Sequence, residues 1–448
     1  MKRLLIGGTH SGCGKTTIVC AILSALKARG LSVSSFKCGP DYIDPMFHKS
    51  IIGAESYNLD SFFCCDNTLR HLLVTSGKST DISVIEGVMG YYDGVSGRGS
   101  AHSVSMVTET PSIIVIDCKG ASESIGAMMK GFLDYEVPNK IKGFIFNRLP
   151  ERLISFVQDL CKRLGTRYFG SFPMNSFSLE SRRLGLITAD EVVDLKEKTY
   201  ELGVLAEKYL LIDELIVSAE TSHLDYIPLK VERIYIDSKP RIAVAKDKAF
   251  CFIYSENLEL LKNFGCEITF FSPISDKKLP ENCSGLIFSG GYPELHAEEL
   301  SANHELLAAV KSAVKSGMPT IAECGGFMYL HEAMKTEDDR EYKMVGVFKG
   351  TAYETSHLQR FGYVTLTANE DSLICQKDQK IAAHEFHYWD STDNGSSFTA
   401  RKADGRDWSC IHGSKSLYAG FPHLYFYTDI RIAERFAAAC AEFGGIYG

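Results

Sequence analysis

The segment Leu4–Thr17, LLIGGTHSGCGKTT, indicates which fold the first half of the chain adopts. A short apolar run leads into a glycine-rich turn, and a helical pattern of apolar residues follows at Ile18, Ile22 and Leu26. A strand, a glycine-rich loop and a helix in this order bind phosphate, because the backbone amides of the loop and the helix N-terminus face the anion. The sequence therefore predicts a nucleotide-binding α/β domain.

Residues of this loop have distinct predicted roles in binding ATP. The predicted contacts are Gly8, Gly12, Gly14, Lys15, Thr16 and Thr17. Glycines let the backbone curl around phosphate oxygens, Lys15 reaches the terminal phosphates, and the Thr16 hydroxyl is a ligand for Mg²⁺. Thr9 stands where the strict Walker pattern has glycine, so the loop is a variant of that pattern. The alternative is an ordinary glycine-rich turn without a ligand.

Further apolar runs continue the same pattern and predict two α/β domains. Runs of strand length lie at residues 31–36, 82–85, 112–117 and 141–146, and then at 242–245, 266–271, 286–288 and 319–322. Helix-length segments separate them, which is typical of parallel sheets covered on both faces. The charged stretch 191–240 predicts a helical segment and linker, so the expected domains are residues 1–190 and 241–448.

Carboxylates follow two of the strands in the first domain. Asp41 and Asp44 lie in the segment KCGPDYIDP, and Glu86 opens the segment EGVMGYYDG. Ligands of α/β proteins bind at the carboxyl ends of parallel strands, and Mg²⁺ prefers oxygen ligands. We therefore expect Glu86 to bind metal or water, whereas an ordinary turn is an equal alternative for any single aspartate. His48 belongs either to this site or to the surface.

The segment Pro319–Leu330, PTIAECGGFMYL, predicts a nucleophile in the second domain. It has the pattern of a strand, a sharp turn at Cys324 and the start of a helix, whose N-terminus stabilises a thiolate. The backbone amide of Gly325 is the expected oxyanion donor, and Gly291, at the end of an earlier strand, is the expected second donor. A cysteine nucleophile needs a base, for which His423 is the candidate.

The composition excludes several classes of protein. The 448 residues carry a net charge of −8, which gives no general attraction to nucleic acid or anionic lipid. No apolar run approaches the roughly 20 residues of a membrane helix. The 14 cysteines include no CxxC pair, so we expect neither a zinc site nor a disulfide scaffold, and a reducing, cytoplasmic setting. The expected partners are small molecules, and a single sequence leaves oligomer formation open.

Together the motifs resemble the cobyrinic acid a,c-diamide synthase family, and the resemblance covers nearly the whole chain. The segments that carry it are Gly8–Thr17, Lys37–Pro45, Ile85–Gly94, Ser289–His296, Ala322–Leu330 and His384–Tyr388. The family implies a dethiobiotin-synthetase-like P-loop NTPase domain with a parallel sheet, followed by a flavodoxin-like class I glutamine amidotransferase domain. It also implies ATP- and Mg²⁺-dependent amidation of the a and c side chains of cobyrinic acid, through an acyl phosphate, in cobalamin biosynthesis. The nitrogen donor is glutamine or ammonia.

The resemblance also assigns roles to individual residues. Asp41 and Glu86 match acids of the metal site, and Asp44 and Asp93 match acids that face the macrocycle or its activated carboxylate. Asn147 stands where related nucleotide domains contact adenine, and it is equally suited to cap the end of a strand.

The chain departs from the family around the predicted base. Many glutaminase triads end in His-x-Glu, but Tyr425 stands two residues after His423, so the third triad member is unassigned. His384 and His387, in the segment HEFHY, are rival bases. A second departure is Arg183, which stands where the family usually has histidine.

The sequence leaves three alternatives to this activity open: another tetrapyrrole substrate, a different class of ATPase, or a glutaminase domain without activity. Hydrogenobyrinic acid and nickel-sirohydrochlorin are substrates of diamidating enzymes that share this architecture. A partitioning-type P-loop ATPase would use ATP as a switch and would lack a glutaminase, and the segment around Cys324 argues against it. A degenerate glutaminase domain that only binds its ligand is the third alternative, because the triad acid is unassigned.

Overall fold

The computed structural model describes residues 1–173, 181–182, 185–186, 195–231, 239–336 and 338–447. The chain forms two compact units, Met1–Leu229 and Lys230–Gly448. The domain boundary predicted at residue 190 and the departure at Arg183 lie outside the described residues. No described helix combines the length and the apolar character needed to span a lipid bilayer.

The first unit alternates strands with helices for most of its length. Its elements are β1 (Lys2–Gly8), α1 (Lys15–Ala28), β2 (Val33–Cys38), α2 (Ile43–Phe47), β3 (Glu55–Leu59), α3 (Asp66–Gly77), β4 (Ile82–Glu86), α4 (Ala101–Val107), β5 (Ser112–Asp117), α5 (Ser124–Asp134), β6 (Ile141–Asn147), α6 (Ile154–Arg163), β7 (Arg167–Phe172), β8 (Ser181–Arg182), β9 (Gly185–Leu186), α7 (Leu195–Tyr209) and α8 (Ile212–Ser218).

A seven-stranded parallel sheet in the order β3-β2-β4-β1-β5-β6-β7 is the centre of this unit. The five predicted strands are present, and their apolar residues are buried, as expected for a sheet covered on both faces. Strands β2, β4 and β1 are neighbours, so the loop after β1 and the last residues of β2 and β4 meet at one edge. In the ladder, Glu86 pairs with both Lys37 and Ile6.

The segment predicted as a linker contributes helices to the first unit. Helix α7 packs on α1 so closely that a Cβ atom on Gly203 would lie 3.0 Å from Cβ of Ser24. Arg29, just after α1, pairs with Glu207 of α7 at 2.6 Å and with Asp213 of α8 at 2.5 Å. The described part of residues 195–229 therefore belongs to the first unit, because its helices cover that sheet.

The second unit begins with the same alternation and then becomes rich in strands. Its elements are β10 (Arg241–Ala245), α9 (Ser255–Asn263), β11 (Glu267–Phe271), β12 (Gly285–Phe288), α10 (Ala297–Ala302), α11 (His304–Lys315), β13 (Thr320–Glu323), α12 (Gly325–Leu330), β14 (Ala333–Lys335), β15 (Glu341–Lys343), β16 (Thr351–Glu354), β17 (Arg360–Ala368), β18 (Lys380–His387), β19 (Trp389–Ser391), β20 (Phe398–Arg401), β21 (Asp407–Cys410), β22 (His412–Ser414), β23 (Leu417–Gly420), β24 (His423–Leu424) and α13 (Arg431–Tyr447).

The main sheet of the second unit has the order β11-β10-β12-β13-β23-β22. Its first five strands are parallel, and only β22 is antiparallel to its neighbour. Because β12, β13 and β23 are adjacent, the segments that follow them meet at one edge of the sheet. Those segments contain Gly291, Cys324 and His423.

Two smaller sheets complete this unit, with the orders β15-β14-β16-β19 and β21-β20-β17-β18-β24. Stretches rich in β-forming residues at 361–366 and 398–400 predict β17 and β20, whereas the other strands of these two sheets have no such signal. Strand β24 contains His423, which pairs with His384 of β18 in an antiparallel ladder. The segment HEFHY therefore lies beside the predicted base.

Candidate active sites

The phosphate loop of the first unit joins β1 to α1, as predicted. Gly8 has no room for a side chain, because a Cβ atom there would lie 2.7 Å from Cδ of Lys15. Gly14 has a φ of +94°, and a Cβ atom on it would collide with the Asn147 amide. Glycine meets both demands, the close approach and the left-handed backbone.

Asn147, the last residue of β6, supports this loop directly. Its Nδ2 donates a hydrogen bond to the Cys13 carbonyl at 2.9 Å, and the side chain is buried. The side chain therefore joins the end of β6 to the phosphate loop. Contact with adenine stays a prediction.

Lys15 and Thr16 begin α1 at the base of the loop. Lys15 is buried, its Nζ donates to the His10 carbonyl at 3.0 Å, and burial lowers its pKa. The Thr16 hydroxyl donates to Oε1 of Glu86 at 2.6 Å. The loop and the carboxyl end of β4 are therefore joined in one site.

Lys37, the penultimate residue of β2, connects the carboxylates of this site. Its Nζ donates to Oε1 of Glu86 at 2.8 Å and to Oδ2 of Asp44, and it lies 3.8 Å from Oδ2 of Asp41. The sequence prediction missed Lys37 as a site residue. The available signal was a lysine within the buried strand VSSFKC, since a buried lysine requires acidic partners.

The charges of this cluster shift the pKa values of its members in opposite directions. Burial alone would lower the pKa of Lys37, but Asp44 and Glu86 raise it well above its ordinary value. Lys37 lowers the pKa of Asp44 against the effect of burial. Burial and the nearby Asp44 raise the pKa of Glu86 to about 7 and that of Asp41 to about 6. Positive charge in addition to Lys37 would therefore be stabilised here.

The residues of this site fit a magnesium ion that arrives with a nucleotide. Oε2 of Glu86 is buried and has no hydrogen-bond partner among the described residues. Thr16, Asp41 and Glu86 supply the hard oxygen atoms that Mg²⁺ prefers, and Mg²⁺ is commonly held by one or two carboxylates plus phosphates. In the described ranges, no three or more histidine, cysteine or acidic side chains form a complete metal cage.

His48 is buried beside this cluster, so it is not the surface histidine of the sequence-based alternative. Its Nδ1 lies 2.8 Å from the Ser35 hydroxyl, and its Nε2 lies 3.5 Å from Oε2 of Glu86. Burial lowers the pKa of His48 to about 4, so the ring is neutral at pH 7. It contacts the second carboxylate oxygen of Glu86 from the interior.

Asp93 is exposed next to the phosphate loop. Its Oδ2 accepts a hydrogen bond from the Gly90 amide at 2.7 Å, and the Tyr91 amide donates to the Gly8 carbonyl at 2.8 Å. The two aspartates predicted to face the macrocycle therefore differ. Asp44 is buried against Lys37, whereas Asp93 is open to solvent.

The sharp turn predicted in the second unit has a strained backbone at Cys324. Its φ is +49° and its ψ is −106°, a combination that residues with side chains rarely adopt. Helix α12 follows at once and packs on β12, since a Cβ atom on Gly326 would lie 2.6 Å from Cβ of Phe288. This turn presents the thiol at the edge of the sheet, as in other nucleophile elbows.

The two predicted oxyanion donors lie close together. The amide nitrogen of Gly291 is 3.3 Å from the position that a Cβ atom on Gly325 would occupy. The amide of Gly325 is at the start of α12, where backbone N–H groups have no partner within the helix. The structure therefore places the Gly291 backbone next to Gly325, the residue that follows Cys324.

His423 contacts the nucleophile from β24. A Cβ atom on Gly290 would lie 2.6 Å from Cε1 of the ring, which fixes that edge of the imidazole against the oxyanion loop. Burial lowers the pKa of His423, but hydrogen bonds and charge from Cys324 and Glu323 outweigh it and raise the pKa to about 10. An imidazolium beside the thiol favours the thiolate that attacks a carbonyl.

The rival bases have other contacts. Nδ1 of His387 lies 2.6 Å from the Trp389 carbonyl, and its ring stacks on Phe421 with centroids 4.1 Å apart. His384 is beside His423, but burial and the neighbouring histidine lower its pKa to about 3. The geometry therefore favours His423 among the three.

The chain matches two protein families. Residues 4–183 match the CobQ/CobB/MinD/ParA nucleotide binding domain, and residues 241–430 match the CobB/CobQ-like glutamine amidotransferase domain. Many curated relatives of the chain carry the name cobyrinate a,c-diamide synthase. The protein from Caldanaerobacter subterraneus subsp. tengcongensis is 36% identical over 98% of both chains. The protein from Listeria innocua is 36% identical over 96% of this chain and 97% of its own.

Proposed function

The chain belongs to the cobyrinate a,c-diamide synthase family, and from that premise we propose that it is a glutamine-hydrolysing ligase of cobalamin biosynthesis. It amidates the a and c side-chain carboxylates of cobyrinic acid at the expense of ATP. The observation that carries the proposal is the presence of two different sites. The first unit has a phosphate loop with a lysine-bridged carboxylate cluster, and the second has a strained cysteine elbow with a paired histidine.

The second unit releases ammonia from glutamine. The Cys324 thiolate attacks the side-chain carbonyl, and the amides of Gly291 and Gly325 stabilise the oxyanion. His423 protonates the departing ammonia, which leaves a thioester on the cysteine. The same imidazole then takes a proton from water, and the resulting hydroxide releases glutamate and restores the thiol.

The first unit activates the carboxylate that receives the ammonia. A carboxylate is a poor electrophile at pH 7, so an oxygen of the substrate attacks the γ-phosphorus of ATP, and ADP leaves. Lys15 and Lys37 stabilise the charge on the transferring phosphoryl group. Mg²⁺, held by Thr16, Asp41 and Glu86, supplies further charge neutralisation when it is bound. Ammonia then attacks the acyl phosphate, and phosphate leaves.

Asp44 and Asp93 are the acids that we assign to the substrate side of this site. Asp93 is exposed and can accept the proton that the attacking ammonia loses. Asp44 holds Lys37 toward the phosphoryl group. Gly8, Gly12, Gly14 and Thr17 bind the nucleotide phosphates through the loop.

A division of labour between the units predicts the behaviour of Cys324→Ser. We expect amidation with glutamine to disappear, because the nucleophile is lost, while added ammonia still supports amidation at close to the wild-type rate. Counting amides on cobyrinate by mass spectrometry, in the presence of Mg²⁺-ATP, measures both. Simultaneous loss of the ammonia-supported reaction would contradict the assignment.

The matched variant in the first unit is Lys15→Ala. It is expected to abolish amidation with either nitrogen source and to leave glutamate release from glutamine detectable. Amidation that survives in this variant would remove the phosphate-loop assignment. The same assay with hydrogenobyrinic acid or nickel-sirohydrochlorin in place of cobyrinate shows which of the three tetrapyrroles the enzyme amidates.

A further inference from the structure

The Glu323 carboxylate lies directly behind the imidazole of His423. Its Oε2 is 3.6 Å from Nδ1 of His423, and its Oε1 accepts a hydrogen bond from the Leu424 amide at 3.2 Å. Both side chains are nearly buried, with 9% of Glu323 and 4% of His423 exposed. The Glu323 carboxylate thus contacts both the His423 ring and the backbone of the next residue, Leu424.

Glu323, at the end of β13, and Cys324, the residue directly after it, approach the imidazole together. The Cys324 side chain is hydrogen-bonded to His423, and the Cε1 edge of the ring faces Gly290 of the oxyanion loop. A carboxylate at Nδ1 leaves Nε2 to exchange protons with the thiol and the leaving ammonia. This is the arrangement of a nucleophile, a base and an orienting acid.

The residue two positions after His423 has a different environment. Tyr425 is 1% exposed and packs edge-on against Tyr254, with ring centroids 4.9 Å apart. It therefore fills an aromatic cluster at the position from which His-x-Glu enzymes supply their acid. The carboxylate comes instead from the residue before the nucleophile.

Charge considerations agree with this geometry. A buried carboxylate without a cationic partner is costly. The groups that face His423 are Glu323 at the end of β13, Cys324 directly after it, and His384 of β18. His384 is neutral, so Glu323 and the Cys324 thiolate are the anions that stabilise the imidazolium.

On the proposed glutaminase function, we infer that Glu323 is the third member of the triad, a positioning residue that orients His423 and stabilises its protonated form. It completes a triad in which the acid is the last residue of β13 and the nucleophile is the next residue of the chain. Its partner is 100 positions further along the chain.

Glu323→Gln tests this inference, because glutamine keeps the shape of the side chain and an oxygen for the Leu424 amide. We expect kcat for glutamine hydrolysis to fall at least about hundredfold, as for other triad acids, with little change in KM. The basic limb of the pH profile should move to lower pH, since the imidazolium is less stable. Ammonia-supported amidation should stay close to wild type.

Tyr425→Phe is the matched control and is expected to leave glutamine hydrolysis unchanged. Hydrolysis by Glu323→Gln within about threefold of wild type, an unmoved basic limb, or an equal loss in Tyr425→Phe would each overturn the inference. A wild-type chain without glutaminase activity would instead contradict the proposed function.

A measurement on the unaltered chain covers the case in which Glu323→Gln does not fold. In the full chain labelled with [¹⁵N]histidine, the His423 ring, identified by its absence in His423→Gln, should stay protonated above pH 8. A His423 ring that titrates near the ordinary histidine pKa of about 6.5 would show that no carboxylate supports it.

Discussion

Lys37 shows at the scale of one residue how the first site is held together. Its ammonium group lies between carboxylates that come from β4 and α2, and only 6% of its side chain is exposed. Without it, Asp44 and Glu86 would face each other as buried like charges. The lysine is therefore both a structural counterion and the cation nearest to Glu86.

Replacement of this lysine predicts a selective loss of function. Lys37→Met should abolish ammonia-supported amidation, lower the free energy of unfolding of the first unit by about 3–5 kcal/mol, and spare glutamine hydrolysis. Chemical denaturation and the two activity assays measure these effects. Lys49→Met is the control, because Lys49 is half exposed and its 3.1 Å pair with Glu55 contributes about 0–1 kcal/mol. Wild-type amidation by Lys37→Met would contradict the proposed role.

Helix α12 shows at the scale of an element how packing positions a catalytic group. The helix begins immediately after Cys324 and approaches β12 so closely that only glycine fits at position 326, against backbone and Cβ atoms of Phe288. This contact holds the Gly325 amide toward Gly291. The oxyanion donors thus depend on the distance between a helix and a strand.

A methyl group at this contact predicts damage to stability and activity together. Gly326→Ala should lower the free energy of unfolding of the second unit by about 1–3 kcal/mol and slow glutamine hydrolysis, because α12 must move away from β12. Gly445→Ala in α13 is the control, since a Cβ atom there has no neighbour within 4 Å. It should leave hydrolysis unchanged. Thermal unfolding measures the stability of the two variants, and glutamate release measures their glutamine hydrolysis. Equal stability and equal hydrolysis in Gly326→Ala and Gly445→Ala would refute the packing argument.

At the scale of the whole molecule, buried neutral histidines make the stability of both units depend on pH. Burial lowers the pKa of His48 in the first unit and of His331 in the second to about 4. Nδ1 of His331 donates to the Phe327 carbonyl at 2.8 Å. Because the unfolded chain binds a proton near pH 6.5 at each position, the contribution to stability is complete above that pH and is lost as the pH falls toward 4.

This linkage predicts an acid-sensitive slope in each unit. Between pH 6.5 and 4.5, His48→Gln and His331→Gln should each reduce the fall in the free energy of unfolding by about 1.4 kcal/mol per pH unit. His48→Gln should act on the first unit and His331→Gln on the second. Denaturant titrations at several pH values measure the slopes, and variant slopes equal to wild type would exclude the linkage.

Contiguous motifs and long apolar strands can be recognised from the amino-acid sequence alone. The loop around Lys15 and the elbow at Cys324 are contiguous segments, and the long apolar strands are recognisable from their own residues. Membership of the family follows from the same segments, since their order is preserved along the chain. The short polar strands, such as β15 and β22, have no comparable signal, because the neighbouring strands decide whether they form.

Contacts between side chains that are distant in the sequence depend on the folded chain. Lys37 reaches Glu86 because β2 and β4 are neighbours in the sheet, and Glu323 reaches His423 because β13 lies next to β23, from which the chain continues to β24. The packing of the whole core sets the order of the strands in a sheet, so the residues of a single strand do not specify its neighbours. Glu323 and His423 are 100 positions apart in the sequence. Only the folded chain therefore shows that the Glu323 carboxylate lies beside the His423 imidazole.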